Sequence, residues 1–223
     1  MRDSAAMFEA TRNGSTDRLS QASALINTIK MIEDKSEVAE AVKTQKGLVF
    51  ILLYAALEYT ATSIVSEFLT HLKAEAVKNH ELKMFYLAVT LDANFKSLIG
   101  CSDKNFWNKK TSIIEAFHSQ DVAKIDDSIF PATGTNIAFD QLEHIWKIFH
   151  LTGSPLPNGV AVFHLTELRE HRNAIAHGRE TAASVGRRFS SETLTARFNL
   201  IALLCEHMVS TFEDATHMKA YLK

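Results

Sequence analysis

Apolar positions recur every three to four residues through most of this chain, a spacing that predicts helices. Leu19, Ala22, Leu25, Ile26 and Ile29 form the first such stripe. Asn13-Gly14-Ser15 just ahead of it is a turn signal, so Ser15 or Thr16 is expected to cap this helix. Residues 1–14 are then expected to form a flexible lead-in. A second helix is expected to open at Ser36-Glu37 and run through Val38 and Val42 into Leu48-Val49-Phe50-Ile51-Leu52-Leu53-Tyr54-Ala55-Ala56-Leu57. That stretch is apolar on every face, and such a helix is surrounded by other elements or by a partner subunit. It continues with Ile64, Val65, Phe68, Leu69 and Leu72. The apolar run 47–57 closes at Glu58 and is too short to span a bilayer, so it is read as a buried core helix and no membrane contact is expected.

Residues 81–98 read as helical or mixed. Ser102 or Asp103 is expected to cap a helix through Phe106, Ile113, Ile114 and Phe117. The pattern fades over 118–136, where Phe130-Pro131 and Gly134 mark a loop. Asn136 is then expected to cap a helix through Phe139, Leu142, Ile145, Trp146 and Phe149. Gly153, Pro155, Pro157 and Gly159 make the clearest break in the chain. A short helix over 162–177 follows it. A last helix starts near Ser190 or Ser191 and carries Leu194, Phe198, Ile201, Leu204, Cys205, Met208 and Phe212. No segment alternates with period two long enough to build a sheet, so the expected class is all-α, a helical bundle with 15–223 as one domain. The small complement of 8 Gly and 3 Pro agrees with long helices rather than many tight turns.

The most specific segment is Leu168-Arg169-Glu170-His171-Arg172-Asn173-Ala174-Ile175-Ala176-His177-Gly178-Arg179. An arginine and a histidine together suit phosphodiester chemistry in RNA without a metal: one group moves protons near neutral pH, and one fixed cation holds developing phosphate charge. At about 100° per residue, Arg169, Arg172, Asn173 and His177 share a polar sector of about 140°, with Leu168 and Ile175 pointing elsewhere. Arg172 and His177 lie at its two edges, so one helix does not close them easily on one phosphate. Either the helix ends at His177, with Gly178 as its left-handed stop, or two copies meet across a two-fold axis. The negative end of the helix favours a charged His177, while Arg172 and Arg179 oppose it. His171 points away from Arg172 and is read as packing or solvated.

The net charge of −2 over 223 residues does not mark a general nucleic-acid binder. The local excess of Arg169, Arg172, Arg179, Arg187 and Arg188 over Glu170 and Glu180 is the candidate RNA-contacting strip, with a solvated loop as the plain alternative. Glu58 either pairs with a motif arginine or marks where its helix meets solvent. Cys101 and Cys205 are far apart and outside metal-ligand spacing, and no histidine pair has zinc spacing, so neither metal nor cofactor is expected. Their use as inert thiols fits a reducing, cytoplasmic setting. Met1-Arg2-Asp3-Ser4 lacks the apolar core of a secretory signal.

Arg172-Asn173-Ala174-Ile175-Ala176-His177-Gly178 resembles the R-x4-6-H signature of HEPN domains, with the polar residue that follows the arginine. Leu53-Tyr54-Ala55-Ala56-Leu57-Glu58 resembles the family's long early core helix, and the helix after the motif is similar too. The subgroup it most resembles is RiboL-PSP-HEPN. The resemblance implies an up-and-down bundle that pairs as a homodimer with a composite active site. Many members are metal-independent endoribonucleases, some of them toxins or phage-defence effectors held by an antitoxin protein. It also implies that His177 handles protons as the RNA 2′-OH attacks, Arg172 stabilises the phosphorane and Asn173 orients His177. Members that lost activity serve as protein- or nucleotide-binding modules; this chain keeps both motif residues. In one toxin subgroup a modifiable tyrosine lies two residues past the histidine, where this chain has Arg179.

Overall fold

A computed structural model describes residues 7–131 and 136–223. The first six residues and Gly134 of the expected loop lie outside them. The described residues form nine α-helices joined by turns and short 3-10 segments, and two isolated bridges are their only β pairing. The expected all-α bundle is what forms. Its frame is three long helices: α1 (Glu9–Ile32), α2 (Ala39–Ala74) and α9 (Ser191–His217).

Contacts at both ends of these helices set their directions. Ser15 on α1 meets Thr60 on α2 with 2.8 Å between hydroxyl oxygens, and Glu33 just past α1 pairs with Lys46 at 2.9 Å. α1 and α2 are therefore antiparallel, as the short connection at 33–38 dictates. Arg12 on α1 grips Glu206 at 2.6 Å and Glu213 at 2.9 Å, while Ser191 at the start of α9 bonds Glu33, so α1 and α9 are antiparallel too. Phe68, Phe149 and Phe212 meet edge to face in the core between α2, α6 (Phe139–Ile148) and α9.

α2 is long and apolar enough to cross a membrane by composition. Here it is the central core helix, packed against α1, α7 (Val162–Ala176), α8 (Ala182–Gly186) and α9. Two glycines allow α8 to lie against it. A Cβ on Gly47 would sit 2.0 Å from the Ala182 carbonyl oxygen, and one on Gly186 1.9 Å from the Lys43 carbonyl oxygen. These contacts run α8 antiparallel to the start of α2 and fix the chain just after the motif helix.

Two boundaries depart from the sequence reading. α1 begins at Glu9, so residues 9–14 are helix rather than lead-in, and Ser15 is buried inside it rather than capping it. Gly14 serves close packing: a Cβ there would lie 2.2 Å from the Tyr59 hydroxyl. The helix after the loop is capped at Ala138, whose N–H donates to Gln141 Oε1 at 3.0 Å, so Asn136 is not its cap. The segment after α2 is mixed, as read: two 3-10 turns and the short helices α3 (Leu87–Thr90) and α4 (Asp92–Lys96), before α5 (Asp103–Phe117). The last helix starts where expected, with Ser190 Oγ accepting from the Thr193 N–H at 3.2 Å.

Candidate RNA-cleaving site

α7 ends at Ala176, and His177 is its C-cap. Gly178 follows with φ +69°, the left-handed stop that glycine takes without a steric cost. Gly178 N–H donates to the Ile175 carbonyl at 3.1 Å and Glu180 N–H to that of Ala174 at 3.0 Å, closing the helix end. His177 is exposed there. Of the two solutions for the awkward Arg172–His177 spacing, the first is therefore built into the protomer.

Arg172 points from α7 toward α2. Its Nη1 donates to Asn136 Oδ1 at 3.0 Å and to Asn173 Oδ1 at 2.7 Å. Its Nη2 lies 3.7 Å from Glu58 Oε2, and its Cζ sits 4.4 Å from the centre of the Tyr54 ring. Tyr54 accepts the Ile137 N–H at 2.7 Å and donates to Asn136 Oδ1 at 3.4 Å. Burial raises the Tyr54 phenol above its ordinary range, so it stays protonated and able to donate.

Magnitudes rank these contacts. Glu58 pairs at long range and both partners are partly exposed, so the pair is worth less than about 1 kcal/mol. Hydrogen bonds to a charged group contribute about 1.5–3 kcal/mol each, and cation–π contact on a buried ring about 1–2 kcal/mol. The amide oxygens and the ring orient the guanidinium; the carboxylate trims its charge and can yield to a phosphate. With a quarter of its side chain exposed, Arg172 remains reachable.

The other candidates are placed unevenly. Asn173 spends its side-chain oxygen on Arg172, and its link to His177 is the backbone bond from His177 N–H to the Asn173 carbonyl at 3.0 Å. Arg169 lies half-buried on α7 and close enough to Tyr54 for its charge to act on the phenol. Arg179 and Arg187 are exposed. Arg188 is ion-paired with Glu180. Arg187 and Arg188 follow Gly186, which rests on Lys43, eleven residues and about 16 Å along α2 from Tyr54. Glu180 directly follows Arg179, so the Arg188–Glu180 ion pair brings Arg188 back beside the end of α7. His171 packs its ring on Phe50 at 4.9 Å and Phe189 at 5.3 Å, and burial lowers its basicity, as a packing residue requires. Glu58 does pair with the motif arginine, one of the two readings open to it from the sequence. Among the described residues no group of three or more His, Cys, Asp or Glu could hold a metal ion.

Tyr54 and Asn136 were not candidates from the sequence. Tyr54 had one signal, a lone hydroxyl inside an otherwise apolar run. Asn136 was masked by its plausibility as a helix cap.

The RiboL-PSP-HEPN family model matches residues 15–214. No curated protein and no solved structure gives a match. A match over that span, with the motif on the helix and the arginine held as described, leads to one assignment: the chain belongs to the RiboL-PSP-HEPN family.

Proposed function

We propose that this protein is a metal-independent endoribonuclease that acts as a homodimer in the cytoplasm. The observation that carries the reading is the cradle of Tyr54, Asn136 and Asn173 around Arg172, with His177 exposed at the end of the same helix. A fixed cation preorganised for developing charge is the costly part of phosphoryl-transfer catalysis. His177 takes the proton of an RNA 2′-OH as that oxygen bonds to phosphorus. Arg172 stabilises the added charge on the phosphorane, and the 5′-oxygen leaves with a proton from His177 of the partner subunit. The products are a 2′,3′-cyclic phosphate and a 5′-hydroxyl. Arg169, Arg179, Arg187 and Arg188 serve as phosphate contacts around the motif, with Arg188 released from Glu180 as RNA binds. A toxin or defence role, with an antitoxin protein as partner, fits such an activity.

Purified protein is expected to cut a mixed RNA panel in EDTA, leaving cyclic-phosphate ends. Arg172→Ala is expected to lower kcat by about 100-fold or more and His177→Ala by about 100- to 10,000-fold, with helix content retained. An intact RNA panel after incubation with folded wild type sinks the proposal. One observation favours the alternative of a non-catalytic homodimeric module that binds a protein or nucleotide: Glu58 already pairs with Arg172 inside the protomer. That reading expects RNA to survive while a bound partner is lost on Arg172→Ala.

A further inference from the structure

We propose that Tyr54 is a positioning residue that acts on Arg172 twice, through its ring face and through the turn at Asn136 and Ile137. The proposal rests on the reading of this site as an RNA-cleaving centre. Tyr54 lies in the middle of α2 and is 1% exposed, on a stretch where phenylalanine would fill the core as well. The surplus is its hydroxyl. That oxygen accepts the N–H of Ile137, itself only 4% exposed, and so satisfies a buried backbone donor. Its proton is then directed to Asn136 Oδ1. An amide oxygen has two lone pairs, and the other one takes Nη1 of Arg172.

The remaining partners of Arg172 cannot replace this. Asn173 belongs to the same helix and moves with it, so it cannot fix the arginine against α2. Glu58 reaches Nη2 only at 3.7 Å from a partly solvated position. Tyr54 and the turn it holds are what tie the guanidinium to the rest of the bundle. Removing the hydroxyl strands the Ile137 N–H, lets the turn move to find another acceptor, and takes the Asn136 oxygen away from Arg172. The ring face stays, so the charge remains near its place but loses its fixed orientation.

The test uses the full chain, a fluorescent single-stranded RNA of mixed sequence in EDTA, and the variants Tyr54→Phe and Asn136→Ala. Tyr54→Phe is expected to lower kcat by about tenfold or more with KM within about twofold, because orientation is lost while charge attraction for the RNA stays. The shape of the pH–rate profile is expected to hold, since His177 is untouched. The double variant is expected to be no worse than the poorer single one, as for two residues acting along one path. A kcat within about twofold of wild type overturns the proposal, and so do effects of the two changes that multiply. A second readout needs no cleavage: the guanidinium N–H signals of Arg172 in 15N-labelled protein, assigned by their loss in Arg172→Lys. Their averaging in Tyr54→Phe supports the proposal, and unchanged signals overturn it. If wild type leaves the RNA intact, the endoribonuclease reading fails, and the arginine signals alone decide the role of Tyr54.

Discussion

Burial decides which side chains of this protein are reactive. The thiol of Cys205 is raised to about 11 by burial, and the residue is 2% exposed. Cys101 is half-buried on the short segment before α5. A thiol reagent at pH 8 is expected to modify Cys101 in the native protein and to reach Cys205 only after denaturation, as counted by mass spectrometry; native double labelling would contradict the packing of α9. The same contrast applies within the motif. His171 and His177 are six residues apart, yet one is wedged between phenylalanine rings and the other is open to solvent. On the proposed reading, His177 is then the motif histidine open to chemistry, and His177→Ala is expected to cost activity far more than His171→Phe does. The polarity of Arg172, Asn173 and His177 was legible along the chain because a helical wheel groups them. The partners of Arg172 were not, because Tyr54, Glu58 and Asn136 come from a helix and a turn more than thirty residues away, and no local pattern reports such a meeting.

At the level of elements, glycines settle what the hydrophobic stripes leave open. Gly47 and Gly186 each place α2 and α8 so close that a methyl group would overlap a carbonyl oxygen of the other helix. Backbone cannot yield as a side-chain tip can, so Gly47→Ala and Gly186→Ala are each expected to destabilise by about 1–3 kcal/mol or more, lowering Tm in a thermal melt. Gly178 is different: its φ of +69° is the constraint and the space around it is open. Gly178→Ala is expected to cost about 1–2 kcal/mol and to loosen the end of α7, so cleavage should fall even where Tm recovers in a stabilised background. The two classes separate cleanly by comparing Tm with activity. The helices themselves were readable wherever a periodic stripe met a clear stop, as in α7 with Gly178 or α9 with Ser190. Asn13-Gly14-Ser15 misled because local turn propensity lost to packing: Gly14 makes room for Tyr59, and Ser15 meets Thr60 in the core. Asn136 misled for a related reason, its side chain being worth more beside Arg172 than at a helix start.

Across the whole molecule, four histidines share one electrostatic situation. His71, His150, His164 and His171 are each lowered below the ordinary histidine value, with burial the first cause in every case. Unfolding exposes them and restores that value, so below about pH 6.5 the unfolded chain binds more protons than the folded one. Stability is therefore expected to be full above that pH and to fall as the pH drops through the histidine range, seen as a declining Tm between pH 7 and pH 5. A Tm that rises over that interval would contradict the burial of these rings. Low-pH assays of activity will need this loss subtracted before any titration is assigned to His177. The bundle's class was legible from the sequence, since apolar stripes and the shortage of breakers point the same way; the arrangement around α2 was not, because a helix apolar on all sides does not say which neighbour takes which side. That helix carries Gly47, Tyr54 and Glu58 along about 16 Å of one rigid rod. It follows that the protein cannot drift freely there. In a library of random single substitutions screened for loss of function, hits are expected to crowd into residues 47–58, many of them at positions with no route to substrate, and second-site revertants of those hits are expected to map to α7, α8 or the 136–137 turn rather than to α2 itself.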